Sequence, residues 1–119
     1  MDEFDRFLLM TDSRKKSVLI LAQVPMLTRD VLRVHRLKQL GISGDIAKRP
    51  GWDTGNKKMA QLVARHPGAK FLDLSHIDLF ASAPFYNGEL LYLDSNHLNE
   101  LGSLRFGEAA ASQFPWPPK

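Results

Sequence analysis

Ser17-Val18-Leu19-Ile20-Leu21-Ala22-Gln23 is the stretch on which the fold turns. Five apolar residues follow one another there, with β-branched Val18 and Ile20 among them. A strand wetted on one face alternates apolar and polar residues, and this run does not. It therefore predicts a strand covered on both faces, the pattern of a parallel sheet. Pro25 stops it, because proline brings no N–H to a ladder. Upstream, Phe4, Phe7, Leu8 and Met10 recur at helical spacing and predict a short amphipathic helix over residues 3–11, broken by Thr11-Asp12-Ser13. Downstream, Val31, Leu32, Val34 and Leu37 form the apolar stripe of a second helix over residues 29–40, with Thr28 as its cap and Gly41 as its stop.

Residues 42–54 carry Gly44, Pro50 and Gly51 without any period and predict a loop. A third helix is expected over residues 55–66, with Met59, Leu62 and Val63 inward and Pro67-Gly68 as terminator. Lys70-Phe71-Leu72-Asp73-Leu74 predicts a second buried strand. An irregular stretch with Pro84, Asn87 and Gly88 follows, and Glu89 to Leu93 is either a short strand or an extended approach to Asp94. The last helix is expected over residues 100–112, capped by Asn99, with Leu101, Leu104 and Ala109 inward. Helices alternating with apolar strands predict a layered α/β fold with a small, mainly parallel sheet. The expected organisation is one partial domain over residues 1–114 and a proline-rich tail over 115–119.

Bulk properties narrow the function classes. The 119 residues suit one domain, and 44% hydrophobic with 24% charged residues is ordinary for a globular chain. The formal charge of +3 is mild. Arg14-Lys15-Lys16 and the group Arg29, Arg33, Arg36 and Lys38 read as solvated faces, and no aromatic-interleaved stripe points to nucleic acid. Cysteine is absent, which excludes disulfides, thiolate metal sites and thiol nucleophiles and leaves the compartment open. No apolar run approaches the roughly 18 residues of a membrane span, so no direct membrane insertion is expected. Met1-Asp2-Glu3-Phe4-Asp5 is acidic where a secretory signal is basic, which by itself reads as a cytoplasmic chain.

The chemistry concentrates in Leu93-Asp94-Ser95-Asn96-His97-Leu98-Asn99-Glu100-Leu101-Gly102-Ser103. A carboxylate three residues before an imidazole, just ahead of a helix, can hold one ring nitrogen and leave the other to accept a proton. Asp94 then fixes the tautomer and His97 serves as general base and afterwards general acid. The extended block resembles the last block of the SGNH hydrolase superfamily, Asp-x-x-His, in the form found in SGNH domains of membrane-bound acyltransferases that O-acetylate surface polysaccharides. Tyr92, Asp94, His97, Leu98 and Gly102 match that form. Asn99 stands where serine is usual and Ser103 where alanine is common. Val18 to Pro25, Asn56 with Leu62-Val63-Ala64, and Phe71-Leu72-Asp73 are similar to the family's strand–helix–strand blocks. The likeness covers residues 17–108 and is specific over 92–102.

The resemblance implies a truncated three-layer α/β/α (flavodoxin-like) domain, no cofactor, and acyl transfer to or from a carbohydrate hydroxyl. It assigns Asp94 and His97 as catalytic residues. The family's Gly-Asp-Ser block and its oxyanion glycine and asparagine have no counterpart here, so the chain resembles the carboxy-terminal part of the domain. Asp73-Leu74-Ser75-His76 is set aside as a nucleophile block: the glycine is missing and an extra residue separates aspartate from serine. Three roles remain open at this point: half of a split enzyme paired with an upstream acyltransferase polypeptide, a non-catalytic binding or oligomerisation module (homo-oligomeric through a bare sheet edge), or an enzyme using Ser75. Family resemblance places such a domain in the periplasm. A metal site from His76, Asp78, Asp94 and His97 has no motif behind it. His35 and His66, near helix ends, read as solvated or weakly helix-stabilising, and Trp52 and Tyr86 either line a groove or pack on a core edge.

Overall fold

The computed structural model describes residues 2–42 and 46–113, so the proline-rich tail and the Ser43–Asp45 part of the long loop lie outside the described residues. The elements run α1 (Asp2–Ser13), β1 (Val18–Leu21), α2 (Val31–Gln39), α3 (Thr54–Val63), β2 (Ala69–Leu72), a 3-10 turn (Asp78–Phe80), β3 (Phe85–Tyr86), β4 (Glu89–Leu90) and α4 (Glu100–Ala111). The fold is mixed α/β with four helices and a small parallel sheet, as the apolar strands predict. The chain divides into two compact units, residues 2–23 with 53–74, and residues 24–52 with 75–113. No helix among the described residues is long and apolar enough to cross a membrane.

In the first unit β1 and β2 pair in parallel, Val18 opposite Ala69 and Leu21 opposite Leu72. Side chains alternate across a strand, so Val18, Ile20, Ala69 and Phe71 share one face. That face packs on Leu8 of α1 and on Leu62 and Val63 of α3, with Phe4 and Met59 beside them. Leu21, on the opposite face, is 46% exposed. Within this unit helices cover one face only, which is less than the unbroken apolar run predicts. Asn56 in the first turn of α3 seals the end of β1: its Oδ1 accepts the Gln23 N–H and its Nδ2 donates to the Gln23 carbonyl, both at 2.9 Å.

His66 corrects the sequence reading. It is 4% exposed, not solvated. Its Nδ1 lies 2.6 Å from Asp12 Oδ2 and its Nε2 2.9 Å from Asp5 Oδ1, so both ring nitrogens face carboxylates of α1. The hydrogen bond to Asp12, then that to Asp5, raises the His66 pKa above its ordinary value, against the opposing effect of burial. At Gly68, two residues on, a β-carbon would come within 3.0 Å of the Lys16 carbonyl oxygen and 3.1 Å of an Asp12 carboxylate oxygen, a tight fit.

In the second unit α2 is capped by Asp30 rather than Thr28. Asp30 Oδ1 accepts the N–H groups of Leu32 and Arg33 at 2.9 and 3.2 Å. Thr28 instead bonds Ala47, within a short antiparallel bridge between Leu27 and Lys48. Gly41 ends the helix at φ 79° as expected. Asn87 and Gly88 both take positive φ, 48° and 78°, and form the two-residue turn of the β3–β4 hairpin. Glu89–Leu90 therefore pairs antiparallel with Phe85–Tyr86 and does not extend the parallel sheet. Leu27, Val31, Leu79, Phe80, Leu91 and Tyr92 form the core of this unit.

Candidate active site

The loop that carries Asp94 and His97 is shaped by the residues on either side of it. Asn99 caps α4, its Oδ1 accepting the Gly102 N–H at 2.7 Å. The same residue reaches back to the β4 end: its N–H donates to the Leu91 carbonyl at 2.8 Å and its Nδ2 to the Leu90 carbonyl at 2.9 Å. Gly102 sits directly against the Leu91 carbonyl, where any β-carbon would overlap it. A glycine here is required by close backbone approach.

Tyr92 and Leu98 bridge the neck of the loop, and the Leu93 N–H donates to the His97 carbonyl at 2.8 Å. The Tyr92 ring is fully buried and its hydroxyl donates to the Pro25 carbonyl at 2.6 Å. Burial pushes that phenol far above its ordinary pKa, so it stays a donor. A second tether runs from the Leu27 N–H to the Ser95 carbonyl at 2.7 Å. The proline that ends the first apolar run thus leads straight to the segment that positions the loop.

Inside the loop Asp94 turns its carboxylate inward. Oδ1 accepts the N–H groups of Asn96 and His97 at 2.8 and 2.7 Å. Oδ2 lies 2.9 Å from His97 Nδ1. The Asn96 N–H, then the His97 ring and N–H, hold the Asp94 carboxyl below its usual range, so it is ionised at neutral pH. A carboxylate accepts only, so Nδ1 carries the proton and Nε2 of the neutral ring is left as acceptor. Among the described residues Nε2 makes no hydrogen bond, and the His97 side chain is 68% exposed against 37% for Asp94. The pair assigned from sequence is therefore brought together in the geometry of a proton carrier with an orienting carboxylate.

The other candidates are placed elsewhere. Ser75 is 2% exposed, which closes its hydroxyl to an acyl substrate in this conformation. His76 lies against Trp52 at 5.0 Å between ring centroids, and Lys48 Nζ stands 5.7 Å over the same indole. Tyr86 packs against the core of the second unit. Among the described residues no three histidine, aspartate or glutamate side chains converge as a metal site. The features the sequence reading overlooked are the backbone tethers at Pro25 and Leu27, whose partners lie 67 and 68 residues away.

Compared with protein-family models, residues 2–112 match the SGNH domain (fused to AT3 domains), a wider span than the motifs alone cover. Comparison with curated proteins gave no significant match, and neither did comparison with solved structures. Nearly the whole chain lies within the match. The chain belongs to the SGNH domain family, as an acyltransferase-related module of the kind fused to AT3 domains.

Proposed function

We propose that this chain is the carboxy-terminal part of an SGNH-type acyltransferase or esterase acting on ester groups of cell-surface carbohydrate. Its Asp94–His97 pair serves a serine carried on a polypeptide segment other than these 119 residues. The observation that supports this reading is the state of His97: one ring nitrogen fixed on an ionised aspartate, the other open to solvent. His97 Nε2 takes the serine proton as the serine oxygen attacks the acyl carbonyl carbon, and returns it to the departing alcohol oxygen. An acceptor hydroxyl then gives its proton to Nε2 and attacks the acyl-enzyme. The new ester leaves, and the proton returns to the serine oxygen. Asp94 keeps its negative charge throughout and stabilises the imidazolium.

A second reading is a non-catalytic module that binds or oligomerises, favoured by the absence of any Gly-Asp-Ser sequence in the 119 residues. Hydrolysis of p-nitrophenyl acetate separates the two. The acyltransferase reading expects no turnover by the chain alone and turnover on adding the polypeptide encoded immediately upstream, lost in His97→Ala. Failure of every such mixture to turn over, with the two polypeptides shown to associate, would sink it in favour of the binding module. Turnover by the chain alone that vanishes in Ser75→Ala would sink both.

A further inference from the structure

Singly exposed leucines are ordinary on a protein surface, so what matters is where they gather. In α2 the core side is set by the buried Val31 and Val34, and the residues turned furthest from it are Leu32, Arg33, Arg36 and Leu40. Leu32 and Leu40 stand one turn before and one turn after Arg36, and Arg33 lies beside it. Leu32 is 42% exposed, Leu40 at the C-cap 76%, and Ile42 just past the helix 51%. The outward face of a helix on a globular unit is normally polar, and this one interleaves leucine with arginine.

The charge there is one-sided. No aspartate or glutamate occurs from Val31 to Ile42, and among the described residues no carboxylate pairs with Arg33 or Arg36. Asp30 lies at the helix start, where its Oδ1 is taken up by the Leu32 and Arg33 N–H groups. From residue 29 to residue 49 six lysines and arginines stand against two aspartates, Asp30 and Asp45. That segment therefore carries +4 wherever Asp45 lies, and the rest of the chain carries −1. The exposed Phe7, Leu9 and Met10 belong instead to α1, a helix that holds Asp2, Glu3, Asp5 and Asp12.

Leucines interleaved with arginines suit a partner that offers a layer of anions with an apolar layer directly beneath. A soluble polyanion satisfies the arginines and leaves the leucines wet, and an apolar protein groove buries the arginines unpaired. An anionic lipid surface satisfies both, because arginine stems lie along the apolar boundary while their guanidinium groups meet the phosphates. We infer that the outward face of α2 is a docking surface for a membrane containing anionic lipid. Leu32, Leu40 and Ile42 rest at the acyl boundary, and Arg33 and Arg36 lie among the headgroups. Such contact lies on the bilayer and needs no spanning helix. It uses no residue of the Asp94–His97 loop, so its test is separate from that of the acyl-transfer reading.

Sedimentation of the full chain with lipid vesicles tests it. Vesicles of phosphatidylglycerol and phosphatidylcholine in equal parts should bind the chain at least about tenfold more tightly than phosphatidylcholine alone, and raised salt should remove most of the difference. Arg33→Gln combined with Arg36→Gln should weaken binding to the mixed vesicles about 25-fold, from roughly fivefold for each charge. Leu40→Gln should weaken it about threefold, while Leu9→Gln on α1 leaves it unchanged. All four side chains are exposed, so circular dichroism should show each variant folded like the parent. Equal binding to both kinds of vesicle, binding to neither, full binding by the double arginine variant, or loss of binding in Leu9→Gln would each overturn the assignment. Leu40→Gln without effect would overturn it in favour of a soluble polyanion such as heparin.

Discussion

His66 and His97 both meet an aspartate through Nδ1, at 2.6 and 2.9 Å, yet the two rings stand in opposite surroundings. Around His66 the second ring nitrogen meets a second carboxylate, and the ring is 4% exposed. Two acceptors require two donors, so the stable form is an imidazolium held in place, a fixed cation that ties α1 to the turn before β2. Around His97 the second nitrogen is open and the ring stands in solvent. One aspartate orients an imidazole; two aspartates and burial immobilise its proton. The presence of a His–Asp pair therefore says little about catalysis until the fate of the other nitrogen is known.

The sharpest way to break that comparison is to remove each ring in turn. In the partner-supplemented ester assay, His97→Ala should lower turnover by at least about 10³-fold, as loss of a triad histidine does. The same variant should unfold within ~0.5 kcal/mol of the parent, since little is packed against the ring. Measurable partner-dependent turnover in His97→Ala would remove the catalytic half of the contrast.

Next in size is the backbone that shapes the His97 loop. Gly102→Ala should cost about 3 kcal/mol in urea unfolding, because the new methyl can be housed only by moving the Leu91 carbonyl. A neutral Gly102→Ala would mean that the loop neck is looser than its hydrogen bonds imply.

His66→Ala should lower the thermal midpoint by about 8 °C, leaving Asp5 and Asp12 without their common partner. The effect has a defined pH sign. The folded-state pKa of His66 is raised, so the clamp's contribution is complete below pH ~6.5 and is lost as pH climbs through the folded value. The gap between parent and variant midpoints should thus shrink toward alkaline pH. A gap that widened instead would show that His66 is held neutral.

The smallest effect is expected at Tyr92→Phe, about 1 kcal/mol, from the lost bond to the Pro25 carbonyl. Chemical shifts of the His97 ring should move with it if that tether positions the loop.

What the sequence made legible follows the same division. Asp94 and His97 are three residues apart, so one loop suffices to bring them together, and the extended block around them, Tyr92 to Gly102, marks the pair. His66 finds Asp12 and Asp5 across 54 and 61 residues, and no local pattern carries that information. Helices and the two parallel strands were readable because periodicity is local, although the cap of α2 fell to Asp30, two residues past Thr28. The β3–β4 hairpin was readable in principle, since Asn87-Gly88 is a strong two-residue turn signal, but the stretch with Pro84, Asn87 and Gly88 reads as irregular and leaves Glu89 to Leu93 open between a short strand and an extended approach to Asp94. The partial cover of β1 was not readable, because an apolar run reports affinity for burial and not which face obtains it.

Asn56 carries a consequence of a different kind. Its side-chain amide matches the Gln23 peptide group donor to acceptor on both sides, so it acts as a single rung of ladder lent by a helix. Hydrolysis of that amide, the ordinary ageing reaction of asparagine, would exchange the donor for a second acceptor facing the Gln23 carbonyl. One bond would become a repulsion with no change in size or shape. The passage from β1 into the segment that holds Pro25 and Leu27 thus depends on the chemical survival of one nitrogen atom.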